Sequence, residues 1–161
     1  MIRTLIIAGL LVVPLSACVG LSRSTAVTPV SEAASYRIQS VRLVIDPEIE
    51  TTADFDEIFR ERVQTALDEC AVGSRPLRLD AAISRLDRAN PVQVAIIGGA
   101  NVLRGRARLV EPSTGRVVGE YEIGHTVIGA RVAVFEMAES EEQLSTAFGE
   151  ELCDQAFATA Q

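Results

Sequence analysis

The 161-residue sequence has no tryptophan, a single histidine and only 4% aromatic residues, so few of the side chains on which enzymes rely are present. All 15 of its basic residues are arginine; without lysine, Schiff-base catalysis is excluded. His125 has no second histidine or nearby cysteine, so the spacing of a zinc cluster is missing, and a structural or surface histidine is expected. No Cys-x-x-Cys pair supports redox chemistry. Gly98-Gly99 is not followed by the Gly-Lys-Ser/Thr of a phosphate loop. Ser22, Ser24 and Ser145 lie in no nucleophile motif, and Glu139, Glu141, Glu142, Glu150 and Glu151 read as one solvated helix face. Positive charge is also short: 22 acidic residues leave a net charge of −7, which argues against nucleic acid as a partner. No metal, no cofactor and no enzymatic activity are expected.

What is present supports a folded chain. Hydrophobic residues make up 48% and charged residues 23%, enough apolar surface for one ordinary domain. The N-terminus has its own character. Arg3 precedes the apolar run from Leu5 to Val13, and small residues follow Pro14. A basic start, a short apolar core and small residues form the pattern of a secretory signal peptide. The run is about half the ~20 residues needed to span a bilayer as a helix.

Leu15-Ser16-Ala17-Cys18 resembles the lipobox of bacterial lipoproteins. That resemblance implies removal of residues 1–17 and acylation of Cys18, with palmitate among the expected chains. The mature chain would hold 144 residues with a net charge of −8, because Arg3 is lost. Two or more acyl chains make release from a membrane negligible, each buried methylene contributing about 0.8 kcal/mol. Val19 stands where an Asp would favour retention in the inner membrane, so the periplasmic face of the outer membrane is the expected address. Residues 18–35, rich in Ser, Thr, Ala and Pro, read as the lipidated cysteine and a flexible tether. Residues 36–161 read as a single periplasmic domain.

Within that domain the hydrophobic period changes repeatedly. Val41, Leu43 and Ile45 alternate with Arg42 and Val44, as in a strand with one buried face. Phe55, Ile58, Phe59, Val63, Ala66, Leu67 and Cys70 then recur at helical spacing. Asp54 and Glu57 predict a capping box, and Gly73 with Pro76 a stop. Leu77, Leu79, Ala81 and Ile83 form a second alternating run. The stretch from Val102 to Glu111 is joined by the Pro112-Ser113-Thr114-Gly115 turn to a partner strand, whose inner face reads Val117, Gly119, Tyr121 and Ile123. Ser140-Glu141-Glu142-Gln143 opens a final helix carrying Leu144, Ala147, Phe148 and Leu152. The expected fold is α+β: a two-layer sandwich with a mainly antiparallel sheet of four or five strands and two helices on one face. Gly105 and Ala107 would let a helix approach that sheet closely.

With Cys18 assigned to lipid, Cys70 and Cys153 remain as an even pair in an oxidising compartment, and a disulfide between them is expected. Arg104, Arg106 and Arg108 stripe one strand face, with Glu120 and Glu122 on the partner. If the apolar faces fix the register, Arg106 lies near Glu120 and Arg104 near Glu122, and cross-strand ion pairing follows. The same arginines could instead meet an anion or a partner. The apolar segment from Val92 to Gly99, with Val94, Ile96 and Ile97, reads as a buried strand or as a partner-facing loop.

The run from Gly105 to Gly119 and the later Ala147-Phe148-Gly149-Glu150-Glu151-Leu152-Cys153 resemble small Gram-negative envelope lipoproteins that carry a domain of unknown function. The resemblance implies a structural pattern and transfers no active-site residue. The expected role is a membrane-anchored binding or scaffolding domain with an envelope protein as partner. An accessory subunit of an envelope transport or assembly complex is the alternative, and an envelope hydrolase is a weaker one.

Overall fold

Each alternating run becomes a strand and each three-and-four pattern a helix. The computed structural model describes residues 24–26, 30–87, 99–129 and 140–157. In chain order the elements are β1 (Ser24–Ala26), α1 (Val30–Ala33), β2 (Tyr36–Ile45), α2 (Phe55–Cys70), β3 (Arg75–Asp87), β4 (Gly99–Val110), β5 (Val117–Gly129) and α3 (Ser140–Ala156). They build one five-stranded sheet in the order β1-β5-β4-β3-β2. Among the described strands only the β2–β3 pair is parallel, because α2 carries the chain back across the sheet between those strands. The helices α2 and α3 pack on each other and on the inner face of the sheet, the expected two-layer α+β sandwich.

Three irregularities keep apolar residues pointing inward. The register shifts between Ile38 and Ser40, so Tyr36 and Ile38 share the inner face with the half-buried Val41, Leu43 and Ile45. A second shift between Ile83 and Arg85 returns Leu86 to the core. The third lies between Leu109 and Val110, where β5 accommodates Val118 as an extra residue. Val118 is therefore buried and Val117 only half-buried, the reverse of the simple alternation.

The helix layer closes over this face with aromatic side chains. Phe55, Phe59, Val63 and Leu67 on α2, and Leu144, Phe148 and Leu152 on α3, are fully buried. The Phe59 and Phe148 rings meet edge to face, with centroids 5.2 Å apart. Gly105 permits this packing: a Cβ there would lie 3.3 Å from Phe148 and 2.7 Å from the Ala82 carbonyl. Gly149 plays the same part between helices, where Val63 and Ala66 come close.

Some local expectations change. Asp54 makes no side-chain cap; its carbonyl instead accepts the Glu57 and Ile58 amides at 3.0 Å. Gly73 is needed for space, because the Ser35–Tyr36 backbone runs against it and its amide donates to the Tyr36 carbonyl at 2.8 Å. Glu141 leaves the solvated group: it is 2% exposed, and its carboxylate accepts the amide and hydroxyl of Thr52. Within the stretch read as a tether, Ser24–Ala26 pairs antiparallel with Gly119–Tyr121, and Val30–Ala33 is helical. Three residues are too few for a period to show in sequence, but the free edge of β5 supplies the pairing partner.

Candidate functional site

With both helices on one side, the alternation that buries one set of side chains exposes the other. The register sorts that outer face into rows. Arg42, Asp80, Arg108 and Glu120 lie side by side across β2, β3, β4 and β5. Val44, Ala82, Arg106 and Glu122 form the next row, and Arg104 follows opposite Gly124. Val44 is 59% exposed, an apolar side chain amid charge. Ala82, Ser84 and Gly124 give small floors between larger walls. With Val44, Asp46, Arg104 and Arg106 they line a groove of about 720 Å³.

The charges on this face are partly paired. Arg78 donates to Asp80 from Nε at 2.6 Å and from Nη2 at 2.8 Å. That contact holds the Asp80 carboxyl below its ordinary range against the opposing cost of burial, with Arg42 and Arg108 adding to the effect. Arg106 reaches Glu120 at 3.3 Å and Glu122 at 3.9 Å. The predicted pairing of Arg104 with Glu122 does not form. In the observed register Arg106 stands opposite Glu122, Arg108 opposite Glu120, and Arg104 opposite Gly124, two residues along from the expected alignment. Among the described residues, Arg104 and Arg108 form no ion pair, and both are exposed.

The remaining candidates fall elsewhere. Cys70 and Cys153 are joined in a disulfide with Cα atoms 5.9 Å apart, linking the end of α2 to α3. Ser145 is fully buried and donates to the Glu141 carbonyl at 2.6 Å, which engages its hydroxyl in the helix. His125 is half-buried in β5, opposite Leu103 in the register. Among the described residues no group of three His, Cys, Asp or Glu could hold a metal ion, and no helix is long and apolar enough to cross a membrane. Cys18, Val94, Ile96 and Ile97 lie outside the described residues. Sequence reasoning found the arginines of the outer face but missed Val44, Ala82, Ser84 and Gly124. Each lies on the outward side of its strand, and only the register between strands brings them together.

The sequence matches no protein-family model and none of the curated proteins. Solved structures are similar in fold. PelC from Paraburkholderia phytofirmans, crystallised as a dodecamer, matches in a single-substitution variant with a TM-score of 0.58 and 15% identity, over 86% of this chain and 100% of that one. A second crystal form of the PelC dodecamer gives a TM-score of 0.53 and 15% identity, over 80% and 94%. A Xanthomonas campestris protein assigned to a domain family of unknown function gives a TM-score of 0.50 and 14% identity, over 74% and 82%. At these identities the similarity is one of fold, and this chain has the α+β sandwich of PelC.

Proposed function

We propose that the chain is a lipoprotein of the bacterial envelope, anchored through lipid on Cys18 at the periplasmic face of the outer membrane. It works by association, as a binding or scaffolding domain for other envelope components, and catalyses no reaction. The observation that supports this most directly is the outer face of the sheet, which no described helix covers. Four long strands present ordered rows of exposed side chains there, one of which ends at Val44 on the edge strand β2. A broad, open and chemically mixed surface with a shallow groove suits contact with another macromolecule better than enclosure of a small substrate.

A narrower form of the same reading has support of its own. PelC, which shares the fold along its full length, is a dodecamer, and that favours this chain as a repeated subunit of an envelope transport or assembly complex. Crosslinking in intact envelopes, with the native chain beside Cys18→Ser, tests the proposal. The anchored chain should enter defined crosslinked complexes that the unanchored variant loses, and mass spectrometry should find acyl chains on Cys18. Turnover of an envelope substrate by the purified protein, with no complex formed in the envelope, would overturn it.

A further inference from the structure

The two layers of the fold carry opposite charge. The helices α2 and α3 hold ten acidic residues and two arginines; with the buried Glu141 set aside, the layer presents a net of −7. The strands β2 to β5 hold eight arginines and four acidic residues, none in the buried core; Arg75 stacks on Tyr36 in the inner phase, which leaves the outer face a net of +3. The chain as a whole is acidic, so a basic face on one side is a segregation of charge that its composition hides. Arg104 and Arg108 stand exposed on the basic face without an ion pair among the described residues, while Glu150 and Asp154 stand exposed on α3.

We propose that the basic outer face of the sheet in one copy docks on the acidic helix layer of a second copy, head to tail. The inference rests on the reading that the chain works by association, and it names the surfaces and the partner. Opposite faces of a two-layer sandwich point in opposite directions, so such a contact is heterologous and repeats from copy to copy, closing into a ring or extending as a filament. The size suits it. Four strands about 4.8 Å apart and roughly 33 Å long present on the order of 600 Å², near the ~800 Å² that each partner contributes to a standard interface. Charge complementarity sets the register and rejects the like-charged alternatives, sheet on sheet or helix on helix. The exposed Val44, on the edge strand β2, supplies an apolar contact at one margin of the face.

The test uses the full-length lipoprotein in detergent, sized by sedimentation and mass photometry. The native chain should form oligomers at low salt that dissociate on the order of tenfold more readily near 1 M salt, where the Debye length is about 3 Å. Arg104→Glu with Arg108→Glu should give a folded monomer, as should Glu150→Arg with Asp154→Arg, each with an unchanged circular dichroism spectrum. Mixing the two variants should restore oligomers of native size, because each reversed face now meets its complement. Restoration in the mixture alone is a result that a folding defect cannot produce. Oligomers indifferent to both reversals would overturn this interface and leave association through another surface standing. A native chain that stays monomeric would overturn self-docking, while the envelope crosslinks decide the broader reading separately. Loss of binding to phosphatidylglycerol vesicles on sheet reversal, with the oligomer intact, would also overturn it and give the face to anionic lipid.

Discussion

Arg106 stands directly opposite Glu122 in the β4–β5 register, yet its guanidinium lies nearer the diagonal Glu120, at 3.3 Å against 3.9 Å. One arginine thus bridges two acidic side chains, all three of them well exposed. Exposed pairs contribute little, so Arg106→Ala should lower stability by no more than about 1 kcal/mol. A double-mutant cycle in urea should find stronger coupling of Arg106 to Glu120 than to Glu122.

The disulfide should matter more. Cys70 and Cys153 are 83 residues apart, and closing so long a loop restricts the unfolded chain. Cys70→Ser with Cys153→Ser should cost about 2–4 kcal/mol. A reductant should lower the urea midpoint of the native chain and leave that of the double variant unchanged.

Gly149 and Gly115 test two different reasons for glycine. A Cβ at Gly149 would lie 2.7 Å from the Ala66 Cβ and 3.2 Å from the Val63 carbonyl. Gly149→Ala should therefore push α2 and α3 apart and cost about 1–3 kcal/mol. Gly115 has open space around it but a φ of +70° in the β4–β5 turn. Gly115→Val should cost on the order of 1–2 kcal/mol through backbone strain alone, and Gly115→Asn should be tolerated better. Thermal melts of the three variants check the contrast.

Acid should reveal Asp80. Its carboxyl is held below the ordinary 3.8 by the hydrogen bonds from Arg78, and unfolding removes that hold. The unfolded state therefore binds the proton first. The contribution of Asp80 is complete above the ordinary value and is lost as pH falls from there through the lowered one. Glu111, lowered by Thr114 and by nearby arginines, acts in the same direction. Melting temperatures between pH 6 and pH 2 should fall less steeply for Asp80→Asn than for the native chain, with the remaining slope due in part to Glu111.

Much of this architecture can be read from the chain because its periods are clean. Leu77 to Ile83 and Phe55 to Leu67 bury their apolar residues in the faces their spacing implies. The pairing of Cys70 with Cys153 followed from elimination, and the geometry accommodates it. The bulges were not legible, because an inserted Val118 looks like any other valine until the partner strand sets the count. The turn and the bulge together leave Arg104 opposite Gly124, two residues from the expected Glu122. The role of Glu141 was hidden for another reason: its partner Thr52 is 89 positions away and lies in a connection without periodicity. The opposed charges of the two layers were equally hidden, since composition sums over faces that only the fold separates.

The bridge between α2 and α3 has a consequence for what proteases can release. Any single cut between Ala71 and Leu152 leaves both fragments joined through sulfur. A nicked chain would migrate as one band without reductant and as two with it, and its C-terminal piece would stay attached to whatever holds the N-terminal one.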